Sequence, residues 1–399
     1  MYFYLHDKII QSELNILILN YEYPPLGGGA GIVSQHLANE FVTKGHSLTV
    51  LTTWFAGEPE YYSENNLKII RLRSKRKLTY QSDPFEMYDW IKKTKKYALQ
   101  HFNHKQFDIC LANFTLPGGA VAYFLRQKIN LPYIIVSHGH DIPWFSPRQM
   151  FFWHLIFFPY IRFLMQKSAF NVVLTKQLKI NADLFIGNKI AIKNKIIPNG
   201  VLPFTLRNGF NANDKIIKAL FVGRLVDQKD PISVLKALKQ LQQSNIPIHL
   251  KIIGDGELKN EIEEFISKNN LKNIELLGKI SQSSVIDEYS KAHILLAPSR
   301  EEAMSLSVLE GVSAGLYVFA TKISGNKDII IDKINGNFVE FNNVDSITRN
   351  VTNFYFEKFL TNYQYPTLMI EYLQKKYSWE MAANKYLNLF NEIINANSK

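Results

Sequence analysis

The strongest constraint on this chain is an alternation that occurs twice. Short apolar runs of strand length recur between helical stretches over residues 15–175, and the pattern begins again at 218. In the first series strands are predicted at 15–20, 48–52, 67–72, 107–112, 133–137 and 170–175. A helix is predicted from Ile32 to Lys44, with Gly45 ending it. In the second series strands are predicted at 218–223, 247–253, 273–277, 293–297 and 317–320. Helices are expected near 231–243, 256–268, 284–291 and 307–314. Apolar strands interleaved with helices form parallel sheets covered on both faces. Two such series predict two doubly wound α/β domains. Asn, Gly and Pro cluster in PNGVLPFTLRNGFNAND, which puts the junction near 199–214. Two further helices are expected, at 362–376 and 379–396. The expected division is therefore 1–205, 206–375 and a terminal helical segment, 376–399, packing back on the first domain.

Length and composition agree. A chain of 399 residues is long enough for two cores, and 46% hydrophobic with 20% charged residues excludes a disordered chain. The single cysteine, Cys110, excludes a disulfide scaffold and a Cys-based zinc site. MYFYLHDKII carries Asp7 and Lys8 in its apolar stretch and does not read as a secretion signal. The most apolar segment, FFWHLIFFPYIRFLM at 151–165, is too short to span a bilayer and is interrupted by His154, Pro159 and Arg162. A cytoplasmic location is expected.

Four segments carry chemistry. Gly27-Gly28-Gly29-Ala30-Gly31 follows a strand and opens a helix, where backbone amides can approach phosphate. It is neither a dinucleotide fingerprint, because Ile32 stands where the third glycine belongs, nor a Walker A loop. The plainer reading is a tight turn. FVGRLVDQKD (221–230) sets Arg224 and Lys229 in the loop after a strand, where open parallel sheets bind ligands. A guanidinium and an ammonium converging there suit a diphosphate; the plainer reading is two solvated cations. PSREEAMSLSVLEG (298–311) sets Glu302 before a helix and Glu310 in its first turns, with the amides of 305–308 facing an anion. Such carboxylates suit sugar hydroxyls. Against this, Ser307 to Glu310 also fits a capping box, and Glu301 reads as a solvated surface charge. SHGHD (137–141) places His138 and Asp141 at a strand's carboxyl end, with His140 in a supporting role.

In combination these segments, with IIPNGV (196–201), IIGDGEL (252–258) and Ser-Trp-Glu at 378–380, resemble the retaining glycosyltransferases of family 4, across most of the chain. IIGDGEL by itself reads as a strand end turning into a helix. The resemblance implies the GT-B architecture, two Rossmann-like domains facing a cleft. It implies a nucleotide-diphosphate sugar as donor, Arg224 and Lys229 on its diphosphate, and Glu302 on the sugar hydroxyls. Glu310 would take the ribose, and the backbone around Gly278 and Ile280 the base. Met304, Ser305 and Leu306 belong to the same donor-binding loop, while Gly28 and Gly29 would approach the donor from the other domain. His138 would stand near the reacting carbon, and Asp141 with it on the acceptor side. Where family members often have Glu-Gly-Phe-Gly, this chain has Glu302-Ala303-Met304-Ser305, so Ser305 replaces a residue whose backbone often needs freedom.

No Asp-x-Asp element occurs, so neither metal nor cofactor is expected. With no carboxylate assignable as a covalent nucleophile, departure and attack on the same face are expected. The net charge of +11 is divided unevenly: residues 1–205 hold 23 basic and 13 acidic residues, and 206–399 hold 23 and 22. The excess includes Arg71, Arg73, Lys75, Arg76 and Lys77, and then Lys92, Lys93, Lys95 and Lys96, with Trp90 and Tyr97 close by. The aromatic stretch 144–165 follows. Basic and aromatic residues without a spanning helix point to an anionic membrane surface and a lipid-linked or polysaccharide-precursor acceptor. The plainer reading is a buried 151–165 helix and solvated lysines. A nucleic-acid binder would need a recognition helix or aromatic platform, and none stands out. The other enzyme readings are a nicotinamide-dependent dehydrogenase, disfavoured by the failed fingerprint, and a sugar-nucleotide epimerase. A non-catalytic transferase relative is the remaining alternative.

Overall fold

The computed structural model describes residues 13–78, 82–142, 147–205, 214–363 and 367–397. The expected junction falls partly in 206–213, and the aromatic stretch begins at 144–146. Both segments lie outside the described residues, as does the MYFYLHDKII segment.

The first sheet contains β1 (Asn15–Leu19), β2 (Ser47–Thr53), β3 (Tyr61–Glu64), β4 (Leu67–Leu72), β5 (Ile109–Asn113), β6 (Tyr133–Val136), β7 (Phe170–Val173) and β8 (Asn194–Ile196), in the spatial order β3-β4-β2-β1-β5-β6-β7-β8. The second contains β9 (Ile217–Val222), β10 (Ile248–Ile253), β11 (Ile274–Gly278), β12 (Ile294–Ala297), β13 (Tyr317–Thr321) and β14 (Gly336–Val339), in the order β11-β10-β9-β12-β13-β14. Both orders reverse beside the first strand of their series, the point where open sheets leave a ligand crevice. The helices are α1 (Gly29–Thr43), α2 (Pro84–His101), α3 (Ala120–Ile129), α4 (Pro147–Lys167), α5 (Lys176–Ile186), α6 (Pro231–Gln243), α7 (Lys259–Lys268), α8 (Gln282–Lys291), α9 (Leu306–Ser313), α10 (Asn326–Ile329), α11 (Val344–Phe354), α12 (Thr367–Lys376) and α13 (Trp379–Asn397).

Local chemistry sets the boundaries. Asp83 caps α2 in a reciprocal box with Glu86, and Pro84 takes the first helical position. Gly45, with φ of 87°, takes the left-handed position just past α1. The expected helix at 256–268 begins only at Lys259, because Leu258 N donates to Leu225 O at 2.9 Å and keeps the preceding residues in a loop. The sequence pattern missed β3, which is exposed at every position and pairs antiparallel to β4. It also missed β14, whose GNFV is too short to show alternation.

The chain divides into two compact units, 1–136 with 163–170 and 387–399, and 137–162 with 171–386. In the first, Ile16 to Leu19, Ile109 to Ala112 and Trp90 are fully buried, and Phe390 of α13 packs on Phe41 of α1 with ring centroids 5.7 Å apart. In the second, Phe221, Leu250, Leu296 and Phe319 from the sheet join Leu235 and Leu238 of α6 and Val351 and Phe354 of α11 in one core. The IIPNGV and Ser-Trp-Glu segments meet there: Val201 N donates to Tyr377 O at 2.6 Å and bridges Ser378.

Candidate active site

The loop after β9 is built on its neighbour. Gly223 N donates to Ile253 O and Leu225 N to Asp255 O, each at 2.9 Å. A Cβ on Gly254 would stand 1.8 Å from the Gly223 carbonyl oxygen, so only glycine lets the two loops approach so closely. The IIGDGEL segment is thus the support on which the Arg224 loop rests. A short 3-10 turn, Asp227–Lys229, follows, and Asp230 adopts φ of 54° and caps α6. The turn folds Lys229 back until its Cε lies 3.5 Å from the position of a Gly223 Cβ.

The loop after β12 meets this turn. Arg300 N donates to Gln228 O at 2.8 Å, and Gln228 Nε2 donates to Glu301 O at 2.6 Å. Arg300 also pairs with Asp227. Lys229 Nζ then reaches Glu302 Oε1 at 2.7 Å, with both side chains nearly buried. Burial alone would raise the Glu302 pKa. The Lys229 charge and hydrogen bonds from Lys229, Ser299 and Ser305 outweigh it and hold the carboxyl below its usual range. Lys229 is therefore no solvated loop cation. Glu301 is no solvated surface charge either: its Oε1 is buried without a hydrogen-bond partner and its carbonyl is held by Gln228.

Ser305 is the N-cap residue of α9, at φ −75° and ψ 115°, ordinary extended backbone. No glycine-like freedom is needed here. Its side chain makes no cap, its hydroxyl lies 3.1 Å from that of Ser307, and the Ser307–Glu310 capping box does not form, because the helix starts two residues earlier. Met304 is buried, its sulfur accepting from Asn199 N at 3.3 Å. Leu306 opens α9. One turn further, burial pushes the Glu310 carboxyl up to about 7, against a hydrogen bond from Tyr289.

The SHGHD loop belongs to the same unit. Asp141 Oδ1 accepts from Ser137 Oγ at 2.7 Å and from His138 N at 3.1 Å, so this carboxylate fixes the loop. Burial lowers the His138 pKa to about 4, opposed by Asp141, and the ring is neutral at pH 7. His140 Nε2 lies 3.4 Å from Gln228 Nε2. Its pKa is lowered by burial first and the Arg224 charge second, while Glu301, Asp141 and Glu302 pull the other way. Arg224 reaches Gln228 Oε1 from Nη2 at 3.4 Å. Gln228, which sequence reasoning passed over, touches Arg224, His140 and the Glu301 carbonyl together. Its place between the two selected cations was the available signal.

Gly278 ends β11 at φ of 64° and its carbonyl accepts from Gly254 N at 2.9 Å; Ile280 follows, half-buried. The glycine loop belongs to the other unit. Gly27 requires glycine, since its φ is 81° and a Cβ would lie 2.6 Å from Glu22 Cβ. Gly28 caps α1 without a side chain, its carbonyl accepting from Gly31 N, and Gly29 is exposed.

Much of the basic run is engaged within its own unit. Arg71 pairs with Glu58 at 3.0 Å, Arg73 with Glu60 at 2.5 Å and Arg76 with Glu22 at 3.6 Å. Lys93 pairs with Asp89 at 3.0 Å, and Lys95 lies 5.2 Å over the Phe124 ring. Among the described residues no helix is long and apolar enough to cross a membrane.

Two open, largely parallel α/β sheets, with cations and carboxylates gathered in the loops that leave the strands of the second, are the architecture of the GT-B glycosyltransferases. The Glycosyltransferase Family 4 model matches residues 27–202 and the Glycosyl transferases group 1 model matches 204–376. The chain belongs to this family of group 1 glycosyltransferases and is a transferase enzyme. It is 26% identical over 386 residues to an uncharacterized glycosyltransferase of Methanocaldococcus jannaschii, covering 95% of this chain and 99% of the relative. It is 31% identical over 169 residues to the UDP-Gal:alpha-D-GlcNAc-diphosphoundecaprenol alpha-1,3-galactosyltransferase of Escherichia coli, covering 39% of this chain and 43% of that one. Among solved structures, the sucrose-phosphate synthase of Thermosynechococcus elongatus superposes with a TM-score of 0.78 at 16% identity, over 96% of this chain and all of that one.

Proposed function

We propose that this enzyme transfers a sugar, with retention of configuration, from a nucleotide-diphosphate donor to a hydroxyl of a lipid-linked saccharide or polysaccharide precursor. The observation that carries the reading is the cluster of Arg224, Lys229 and Glu302, held by Gln228 and the Ser299 and Ser305 hydroxyls. Breaking the sugar–phosphate bond puts negative charge on the leaving diphosphate. Arg224, the two remaining N–H donors of Lys229 and the amides opening α9 are preorganised to stabilise that charge. Glu302, kept ionised, accepts sugar hydroxyls, and Glu310 accepts the ribose hydroxyls. Gly278 and Ile280 bracket the base. His138, neutral at pH 7, is a hydrogen-bonding partner beside the reacting carbon and not a cation. Attack comes from the face the diphosphate leaves, and the leaving phosphate takes the acceptor's proton. No metal or cofactor is required in this scheme.

Residues 206–375 supply the donor side and 1–205 the acceptor side. The Escherichia coli relative uses UDP-galactose and a diphosphoundecaprenol-linked sugar, which supports a uridine nucleotide and a lipid diphosphate acceptor. The same acceptor class supports a cytoplasmic enzyme resting on an anionic membrane surface.

A panel of nucleotide sugars read by thermal shift tests the donor, since tight binding to the folded state raises the midpoint. The expected result is a rise with one or two uridine nucleotides, followed by a transferred sugar in mass spectra and a retained anomer by NMR, all unaffected by EDTA. No response to any nucleotide sugar overturns the reading. Conversion of donor alone identifies an epimerase.

A further inference from the structure

The two adjacent carboxyls in the loop after β12 are in opposite conditions. Glu302 is nearly saturated by the fold. It accepts from Lys229 Nζ at 2.7 Å and from the Ser299 and Ser305 hydroxyls. A carboxylate has about four acceptor positions, so about one is left for a sugar hydroxyl. Glu301, which the sequence pattern set aside as a surface charge, is the reverse case. The residue is half-buried, and its Oε1 is buried with no hydrogen-bond partner. Buried polar atoms are normally matched, because an unmatched one costs stability.

The loop is held so that it cannot relax to match this oxygen. On one side the Glu301 carbonyl accepts from Gln228 Nε2 at 2.6 Å, and Gln228 O accepts from Arg300 N at 2.8 Å. On the other, a Cβ on Gly325 would lie 2.8 Å from the Ala303 carbonyl oxygen, so the backbone is wedged against the segment between β13 and α10. The flanking side chains are engaged elsewhere, Arg300 with Asp227 and Glu302 with Lys229.

The surroundings indicate what the oxygen meets. Gln228, which holds the Glu301 carbonyl, also accepts from Arg224 Nη2 at 3.4 Å. His140 Nε2 lies 3.4 Å from the Gln228 amide nitrogen. Burial and then Arg224 lower the His140 pKa, and Glu301 stands first among the charges that raise it, ahead of Asp141 and Glu302. The Glu301 carboxyl therefore shares one neighbourhood with Arg224, Glu302 and the SHGHD loop. A sugar whose diphosphate is held by Arg224 and Lys229 presents its hydroxyls there. A hydroxyl is a donor that can match a carboxyl oxygen without bringing a second charge into the site.

We propose that Glu301 is a specificity-determining residue of the donor site, its unmatched Oε1 accepting a hydroxyl of the transferred sugar. Two neighbouring carboxyls then read the sugar, Glu302 through one hydroxyl and Glu301 through another. The proposal deepens the donor reading above and rests on it. It also explains why an unmatched buried oxygen is kept: the fold gives up stability for recognition.

Two variants test it. Glu301→Leu keeps most of the side-chain bulk and removes both acceptors, while Glu301→Gln keeps a carbonyl acceptor without the charge. Calorimetry measures the binding of UDP-glucose, UDP-galactose, GDP-mannose and ADP-glucose, and of UDP, GDP and ADP. For the sugar nucleotide that binds the wild type, Glu301→Leu should weaken affinity on the order of tenfold or more relative to the parent diphosphate. Glu301→Gln should weaken it less, and the affinity for the diphosphate itself should stay as in the wild type. Without ligand, the unfolding midpoint of both variants should hold or rise, because an unmatched buried acceptor is removed or neutralised. A purely structural role predicts the opposite sign. Midpoints that fall by several degrees in both variants overturn the proposal. So does an equal weakening of sugar nucleotide and diphosphate, or variants that bind the sugar nucleotide like the wild type. In each of those outcomes the wild type still binds a sugar nucleotide, and the donor reading stands. A wild type that binds none of these compounds overturns the donor reading and this proposal with it.

Discussion

Lys229 and Glu302, 73 positions apart in sequence, share a hydrogen-bonded ion pair of 2.7 Å at the loop ends of two neighbouring strands, β9 and β12. Removing one partner leaves the other nearly buried and unmatched. Lys229→Ala is expected to cost about 2–3 kcal/mol of stability, toward the lower end of broken buried pairs because some solvent reaches the site. Glu302→Gln should cost less, since an amide still accepts from the ammonium. Urea unfolding of both singles and the double variant measures the coupling. Additive costs would mean that the pair is incidental.

Arg224 carries the largest expected catalytic effect. Arg224→Ala should lower kcat by about 10²–10³, the loss typical of a missing transition-state donor. Arg224→Lys should restore little, because the forked geometry is lost. Steady-state kinetics decide, and a near-wild-type rate removes Arg224 from the machinery.

Gln228 holds Arg224, the Glu301 carbonyl and the His140 region together. Gln228→Ala should cost about 1–2 kcal/mol of stability, as a buried hydrogen-bonded group is lost. It should also reduce kcat/KM more than it weakens binding of the nucleotide alone. Equal losses in both would assign Gln228 a purely structural role.

The proposed contact of Glu310 with the ribose predicts pH-dependent donor binding. Its carboxyl titrates near 7, so the folded chain keeps a proton that the unfolded chain has lost at pH 5–6. Its contribution to stability is therefore greatest at acid pH and falls as pH rises toward 7. Ribose hydroxyls donating to the carboxylate favour its charged form, so nucleotide affinity should rise from pH 5.5 to 7.5 with proton release. Calorimetry in buffers of different ionisation enthalpy measures that release. Glu310→Gln should flatten both trends, and an unchanged pH profile in that variant rejects the assignment.

Ser305→Gly tests whether the departure from the Glu-Gly-Phe-Gly pattern is a defect. The backbone at Ser305 is ordinary, and its hydroxyl helps hold Glu302 ionised. The glycine variant should lose about 0.5–1 kcal/mol of stability and raise the Glu302 pKa. A gain in rate without those losses would show that the serine impairs the site.

The alternation of apolar strands and helices was legible because each sheet is buried on both faces, which forces near-continuous apolar runs such as NILIL and ILLA. All but the polar or very short strands, β3, β8 and β14, were read within a few residues. The local stop at Lys44-Gly45 was equally legible. The site was legible as a set of segments, because loops after parallel strands carry function and Arg, Lys and Glu stand out there. Its internal bonding was not. Glu301 looked like a surface charge and Ser307–Glu310 like a capping box, since each is a valid local pattern, and tertiary contacts overrode both.

The sequence by itself determined the two doubly wound series, the segments that hold Arg224, Lys229, Glu302 and Glu310, and the concentration of positive charge in the first half. Periodicity, turn chemistry and residue type are local properties, readable one window at a time. Tertiary structure alone decided that Lys229 and Glu302 are one ion pair, that Gln228 ties three segments together, and that burial pushes the Glu310 carboxyl up to about 7. It also decided which cations of the basic half are already matched by carboxylates. Those outcomes depend on burial and on distances between residues remote in the chain, and neither is set until the sheets close and the loops meet.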